Sequence, residues 1–336
     1  MLKKFSGALL FVLLVNKAFA GDVDVEYKPQ IEGTIRAKYE YNESLSEHRF
    51  QVRNARFSIN GRFSPIVSYK AEIDLSDEGE TKMLDAYLRL QPVKWFNFTI
   101  GQQKVPFSTD NLRSPHQLYF ANRSFIGKQL TGLRDVGATF AFSSRKSVAL
   151  DFMAGIYNGT GLYNQKTWRK GNELSYVLRA VVSPVKSLNF TANFNSIAPY
   201  EQRMNMFNVG GFADVAGLHI ESEFFYKAYS NGVFDATKGF FCFAAYDIKT
   251  PKLGHINKIT PLVRYDMMTN NNKGKALTDG TFAIDDVQRS RITGGLTLSL
   301  DKPFLNDIRI NYEHYFFADG VVNDQNKLVL EYVVRF

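Results

Sequence analysis

A long connection in the middle of the chain holds the residues best placed to do chemistry, and that chemistry is electrostatic. Between Lys104 and Asp135, five basic side chains stand against two acidic ones, a net charge of +3. The basic residues are Lys104, Arg113, Arg123, Lys128 and Arg134. In a narrow, partly dehydrated passage such cations would attract anions strongly, because the dielectric and the screening are low there. The alternatives are a solvated surface loop and a latch onto a neighbouring subunit.

A second set of charges lies in segments whose residues alternate between apolar and polar. Arg36, Arg56 and Lys70 lie mid-segment and would form a basic patch opposite the long connection, or would pair with Glu72 and Asp74. The polar positions as a whole carry both signs of charge, so they predict either transverse fields or ion pairing along a wall. They include Arg36, Lys38, Arg56, Arg62, Lys70, Arg89, Arg264, Arg291 and Arg309, and Glu32, Glu40, Glu72, Asp74, Asp85, Glu221, Glu223, Asp266 and Glu313.

Patterns that indicate catalysis or metal binding are weak in this sequence. The five histidines are scattered and no pair has metal-ligand spacing, and Cys242 is the single cysteine. Neither a G-x-S-x-G elbow nor a phosphate-binding glycine loop occurs. We therefore expect no catalytic residue, no metal and no cofactor. A barrel enzyme with a paired serine and histidine is a minor alternative.

The elements that must position these charges are β-strands, because the dominant period is two. From Ile31 to Tyr41 the odd positions are mostly apolar and the even positions are mostly charged, which predicts a strand with one apolar and one wet face. Sixteen such segments occur, without helical spacing between them. They lie near 31–41, 50–62, 66–76, 83–91, 94–104, 133–143, 147–157, 174–183, 187–197, 206–216, 218–229, 238–248, 257–268, 289–300, 306–317 and 327–336. Pro261 and the glycines of 206–216 are the weakest points of this assignment.

The connections between these segments sort by parity. If the first strand runs outward, the even-numbered connections are tight turns, except for a longer stretch over 249–256. Most odd-numbered connections are long, and the third, 105–132, is the longest. Short turns on one side and long loops on the other are typical of outer-membrane barrels. The high aromatic content, 17 Tyr and 29 Phe, suits the interfacial girdles of such a barrel.

Both ends of the chain agree with export to an outer membrane. Residues 1–20 have the basic, apolar and small-x-small regions of a signal peptide, with cleavage near Ala20. Residues 21–30 would be a short periplasmic segment, and 31–336 the transmembrane barrel. The chain ends on an alternating strand whose last residue is Phe336. A secreted barrel of this kind predicts passive diffusion of small solutes and makes a nucleic-acid partner improbable.

Five short motifs in fixed order give the sequence a family resemblance. Arg53-Asn54-Ala55-Arg56-Phe57 resembles the Arg-Arg-Ala-Arg strand of the phosphate-selective porin O and P family. Four further stretches follow in the family's order: Asp85-Ala86-Tyr87, then Gly101 to Phe107, then Arg134 to Gly137 with Gly155 to Gly161, and finally Val263-Arg264-Tyr265. Asn54 replaces the second arginine of the motif, and Gln103 stands where the family usually has an aromatic residue.

The resemblance implies a sixteen-stranded all-β transmembrane barrel, a third extracellular loop folded into the lumen, and a homotrimer in outer-membrane lipid. It places Arg56, Lys104 and Arg134 at matched motif positions. Phosphate or other small anions are the expected solutes. The alternative is a general porin without charge preference, which the balanced wall charges favour. The complete set of expected anion-binding residues is Arg36, Arg56, Lys70, Lys104, Arg113, Arg123, Lys128 and Arg134.

Overall fold

The computed structural model describes residues 27–77, 80–124, 127, 134–199, 202–301, 303–318, 321 and 323–336. The predicted signal peptide lies outside them. Within this part, no helix is long and apolar enough to cross a membrane. The strands are β1 (Gln30–Asn42), β2 (Glu47–Ser64), β3 (Val67–Asp77), β4 (Glu80–Val93), β5 (Phe96–Lys104), β6 (Arg134–Arg145), β7 (Ala149–Tyr157), β8 (Ser175–Val185), β9 (Leu188–Ile197), β10 (Met204–Val215), β11 (Leu218–Tyr229), β12 (Thr237–Tyr246), β13 (Ile248–Leu253), β14 (Ile256–Met268), β15 (Arg289–Leu300), β16 (Leu305–Phe317) and β17 (Lys327–Arg335). Helix α1 (Thr109–Leu112) and two short 3₁₀ turns lie in the connections.

These strands form one antiparallel sheet that closes on itself. Each strand pairs with its neighbours in sequence, and β1 pairs with both β2 and β17. β12 and β13 both pair with β14 and so occupy one position in the wall. The predicted closed barrel of sixteen strands is therefore confirmed.

The alternation along each strand separates an apolar outside from a charged inside. On β1, Ile31 and Ile35 are 72% and 42% exposed, whereas Arg36 and Lys38 are each only 4% exposed. Apolar side chains line the outer surface of every wall, and the polar set faces inward. This is the arrangement that a barrel surrounded by hydrocarbon requires.

Pro261 is accommodated by a break in the neighbouring strand. Because proline has no N–H to donate, the ladder between β12 and β14 ends at the pair Ala245 and Leu262, and pairing resumes with Ile248 on β13. The break falls at Asp247, whose carboxylate accepts hydrogen bonds from Thr260 (2.7 Å) and Lys258 (2.9 Å). Most of the stretch that we expected to be a long turn, 249–256, is consequently strand.

The seam of the barrel is sealed by the last residue. Phe336 and Gly33 exchange two backbone hydrogen bonds of 2.8 and 3.1 Å. The Phe336 ring lies directly over Gly33, where a Cβ would collide with it. A larger residue at position 33 would therefore have to displace the Phe336 ring.

Two β-bulges interrupt the alternation on adjacent parts of the wall. In β2, Asn54 pairs with Arg36 and Val52 pairs with Ala37, so Arg53 is the extra residue. In β4, Asp85 pairs with Glu72 and Met83 pairs with Ile73, so Leu84 is the extra residue. A bulge re-aims side chains relative to the pleat, and here each one turns two consecutive residues toward the lumen.

Candidate pore and its charged linings

The connection between β5 and β6, here called the segment and described for residues 105–124 and 127, is bound at one end to the wall formed by β11. The backbone N–H groups of Thr109 and Asp110 donate hydrogen bonds of 2.7 and 3.0 Å to one carboxylate oxygen of Glu223. Arg113 donates two hydrogen bonds to the carboxylate of Glu221, one of them 2.6 Å long. Two carboxylates of β11 thus hold the first turn of the segment.

The later part of the same segment is bound to other walls. The carbonyl of Ala121 accepts a 2.7 Å hydrogen bond from Arg36 of β1, and its N–H donates to Asn311 of β16 at 2.7 Å. The carbonyl of Asn122 accepts a 3.0 Å hydrogen bond from Arg264 of β14. The described part of the segment therefore has hydrogen-bonded contacts with several different walls.

Internal hydrogen bonds give the segment a fixed shape. Ser108 caps α1 by accepting a hydrogen bond from the N–H of Asn111. The Lys104 ammonium donates to the carbonyls of Leu112 (2.7 Å) and Arg113 (3.0 Å), and Arg123 donates to the carbonyls of Asp110 and Arg113. Positive side chains here satisfy carbonyl groups that would otherwise be buried without partners.

An apolar cluster joins the segment to one side of the barrel interior. It packs Val105, Phe107 and Phe120 of the segment against side chains of the walls from β7 to β16. The wall residues of the cluster are Tyr157, Val177, Met206, Phe225, Phe241, Phe243, Ala245, Leu262, Met268 and Tyr315. This part of the interior is filled, so open space remains toward β1–β4 and β15–β17.

The larger open space is a cavity of about 650 Å³, here called the outer cavity. It lies toward the ends of the strands that carry the long loops, since Ser76, Lys82 and Lys327 line it. Its other lining residues include Arg36, Arg53, Asn54, Arg56, Asp74, Leu84, Asn111, Pro115, Leu118, Ala121, Asn122, Arg123, Arg289, Arg291, Glu313 and Tyr315.

A smaller cavity of about 170 Å³, the inner cavity, lies toward the short-turn end. Glu32, Ser58 and Arg335 line it, together with residues 114–117 of the segment. Arg56 and Pro115 line both cavities. The region between the two cavities, here called the narrow part, is therefore bounded by Arg56 of the wall and Pro115 of the segment.

The outer cavity is strongly positive. Eight basic and two acidic residues line it, a formal net charge of +6. Acidic residues behind the lining pair with six of these cations: Glu331 with Arg36, Glu72 with Arg56, Asp110 with Arg123, Asp286 with Arg289, Asp266 with Arg291 and Glu40 with Lys327. The positive excess therefore belongs to the side chains that face the cavity. The inner cavity has three basic and two acidic lining residues, a net charge of +1.

The wall cations at the narrow part are held in an ion-pair network. Arg56 donates to Asp74 at 2.9 Å, and Lys70 contacts Glu72 (2.8 Å) and Asp85 (3.1 Å). Arg134 donates to the same two carboxylates, Asp85 at 2.7 Å and Glu72 at 3.1 Å. The structural alternative that we considered for Arg56 and Lys70, pairing with Glu72 and Asp74, is thus observed, although Arg56 also faces both cavities.

The structure divides the eight expected anion-binding residues into groups. Arg36, Arg56 and Arg123 line the outer cavity, and Arg56 and Lys70 line the inner cavity. Arg113 packs between the segment and β11, with its guanidinium carbon 5.2 Å from the centre of the Tyr119 ring. Lys104 and Arg134 make the buried contacts described above. Lys128 lies outside the described residues.

Sequence reasoning missed Arg53, Lys82, Arg289 and Lys327, which also line the outer cavity. Strict alternation would have turned Arg53 toward lipid, because Arg53 is odd-numbered and its lumen-facing neighbours Asn54 and Arg56 are even. The signal available in the sequence was a change in the parity of the apolar positions along β2. Phe50 and Val52 are even-numbered, whereas Phe57 and Ile59 are odd-numbered, and all four side chains are exposed on the outer surface.

Burial and neighbouring charges perturb the ionisable groups of the segment. Burial raises the pKa of Asp110, with Arg123 acting in the opposite direction. Burial alone would lower the pKa of Arg113, but the hydrogen bonds and the charge of Glu221 raise it above its ordinary value. Burial, and next the charges of Arg335 and Arg309, lower the pKa of His116 to about 3. His116 is therefore neutral at physiological pH and adds no charge to the inner cavity.

The described residues contain no cluster of three or more histidine, cysteine or acidic side chains able to hold a metal ion. The interior of the barrel contains the two cavities with charged linings.

Solved structures of several bacterial outer-membrane proteins share this fold. An anion-selective porin from Comamonas acidovorans superposes with a TM-score of 0.64 at 9% identity, covering 92% of this chain and 99% of that one. OmpT of Vibrio cholerae, in its trimer form, gives a TM-score of 0.63 at 11% identity, with the same coverage. The outer-membrane channel DcaP of Acinetobacter baumannii gives 0.63 at 12% identity, covering 92% and 97%. At such low identity the likeness establishes the fold alone.

A comparison with the sequences of curated proteins gives no match. The profile of the phosphate-selective porin O and P family, however, matches residues 27–221. That match covers more than half of the chain and includes β1 to β10, the segment after β5 and the lining residues contributed by β1 to β4. The chain belongs to the phosphate-selective porin O and P family and is an outer-membrane channel.

Proposed function

We propose that this porin is an anion-preferring diffusion channel whose constriction lies between Arg56 of β2 and Pro115 in the described part of the segment after β5. The observation that carries the proposal is the charge of the outer cavity, where eight basic residues face two acidic ones. A solute entering from the long-loop side meets this positive lining before it reaches the narrow part. Rings of basic side chains favour anions over cations in pores.

The energetic reason is local concentration rather than tight binding. A cavity with protein walls focuses the field of its charges, which raises the local concentration of counter-ions. Most of the lining cations are fixed by ion pairs or carbonyl groups, so they provide a steady potential without trapping an anion. Arg53 is exposed in the cavity, and its side chain has no hydrogen-bond or ion-pair partner among the described residues. It is the side chain best placed to act on a passing anion directly.

The constriction role of the segment is supported by its contacts with different walls, which hold it across the interior. We also propose that residues 1–20 are removed near Ala20, that residues 21–30 lie in the periplasm, and that three chains assemble as a homotrimer. The trimeric form of the Vibrio cholerae OmpT, a neighbour in fold, supports the last point by analogy. A general porin remains the competing function, because the inner cavity is nearly balanced in charge.

Removal of the least constrained lining cations tests the proposal. We expect Arg53→Gln with Lys327→Gln to lower the ratio of anion to cation permeability, measured as a reversal potential in a planar bilayer under a salt gradient. Among the described residues, the ion pairs of Lys327 are contacts of 3.8 Å to Glu40 and Glu313, so its replacement breaks no tight pair there. Lys166→Gln, in the exposed loop after β7, is the matched control and should leave the ratio unchanged. An unchanged ratio in the double variant would contradict the proposal.

A further inference from the structure

The two β-bulges bring unlike side chains into one cavity. The bulge in β2 brings Arg53 into the outer cavity, and the bulge in β4 brings in Leu84. Without its bulge, each residue would occupy an outward position of the strict alternation. The cavity thereby gains an exposed cation and an apolar side chain within one lining.

Other apolar groups also line this cavity. Pro115, Leu118 and Ala121 of the segment line the same cavity. Leu84 and Leu118 are 7% and 6% exposed, so each keeps a small apolar surface that faces the cavity. A lining used only by hydrated inorganic ions gains nothing from such surface, because apolar groups cannot replace the ions' water.

The hydrogen-bonding groups of the other arginines are largely occupied. Arg36 donates to Glu331, Asn54 and the carbonyl of Ala121. Arg291 donates to Asp266, Glu313, Tyr315 and the carbonyl of Arg123. An inorganic oxyanion needs many donors at once to offset the loss of its hydration shell, and these side chains have few N–H groups left to offer.

The space also suits a larger solute. A volume of about 650 Å³ falls within the range of roughly 300–1,000 Å³ that is usual for small-molecule sites, which combine an apolar lining with a few placed polar groups. An exposed guanidinium and a small apolar surface in one lining match an anion that has a charged group and an apolar body.

Resting on the proposed anion preference, we propose that the outer cavity binds organic monoanions, that is, carboxylates or sulfonates with an apolar body, in preference to inorganic phosphate. Arg53 contacts the charged group, and Leu84 with Leu118 contacts the apolar body. Binding at this site slows the passage of such solutes, and the apolar contact lets the channel distinguish between anions of the same charge.

The test compares block of the chloride current by benzoate, acetate and inorganic phosphate in planar bilayers. In the wild type, benzoate should half-block at a concentration about fivefold or more below that of acetate, which carries the same charge. Leu84→Asn should weaken benzoate block about fivefold, the factor expected when a methylene-sized apolar contact or slightly more is lost, and should leave acetate unchanged. Leu84→Met should retain the block, since it preserves an apolar side chain of similar volume.

A matched control is Leu277→Asn, which changes an exposed leucine of the loop 269–288 and should not affect block. Equal block by benzoate and acetate in the wild type, stronger block by phosphate, or an unchanged benzoate block in Leu84→Asn would each overturn the inference. The reversal potential with chloride, measured on the same channels, reports separately whether the anion preference itself holds. Folding of each variant is verified by its shift in gel mobility on heating.

Discussion

The ion pair between Arg113 and Glu221 is expected to determine whether the segment after β5, the proposed constriction, stays in place. Glu221 is buried, with its side chain 1% exposed, and Arg113 is mostly buried, with its side chain 14% exposed. The guanidinium carbon also lies 5.2 Å and 5.9 Å from the centres of the Tyr119 and Phe243 rings. Arg113→Met removes the cation and leaves the Glu221 carboxylate buried. His219, 3.4 Å from that carboxylate, can compensate only in part.

The size of the effect follows from these contacts. Removal of one partner of a buried ion pair costs about 3–5 kcal/mol, and the remaining histidine favours the lower end. A loss of about 3 kcal/mol corresponds to roughly two orders of magnitude in the equilibrium between the bound and the released segment. The barrel itself should persist, because its hydrogen-bond ladder is untouched.

The assay is single-channel recording in planar bilayers. Arg113→Met should raise the mean conductance and the open-channel noise, because a released segment no longer narrows the path. The double variant Arg113→Met with Glu221→Gln removes the unpaired charge and should recover much of the wild-type behaviour. A single variant with wild-type conductance and noise, or a double variant more disturbed than the single one, would refute the reasoning.

Three further predictions concern pH, assembly and membrane residence. Burial raises the pKa of Asp110, so acidification should neutralise this carboxyl at a higher pH than an exposed one. The charge of Arg123, 4.0 Å away, is then less compensated, and the ratio of anion to cation permeability should rise as the pH falls. Asp110→Asn should show a high ratio already at pH 7 and a weaker response to pH. Deletion of Phe336 removes the two backbone hydrogen bonds to Gly33 and should lower the level of assembled protein in outer-membrane fractions, a result that equal levels would contradict. The purified protein should require detergent and should migrate differently in gels before and after boiling; a chain that stays soluble and monomeric without detergent would contradict residence in the membrane.

The sequence was sufficient to predict the strands because a barrel between lipid and water imposes a period of two at almost every position. The parity of loop lengths likewise predicted an outer-membrane barrel, and β1 pairs with β17 as the closure of such a barrel requires. The prediction of a long turn over 249–256 was wrong. Pro261 lies within β14, and the break that accommodates it falls in the neighbouring wall between β12 and β13.

The linings were less predictable, because they depend on register. A bulge shifts the phase of a strand by one residue, so Arg53 and Leu84 face the lumen although simple alternation turns them outward. Pairing across the wall is also a property of register. Arg56 of β2 pairs with Asp74 of β3. Lys70 lies two residues before Glu72 on β3, and the adjacent strand β4 contributes Asp85. Sequence spacing alone could not decide whether those cations face a solute or each other's counter-charges.

The reversal potential of the wild-type channel under a gradient of potassium chloride tests the central claim most directly. A positively lined outer cavity predicts a sign of potential that corresponds to chloride permeating faster than potassium. The preference should weaken at high salt, as screening of the lining charges increases. A potential of the opposite sign, or one that stays at zero at low salt, would contradict the account.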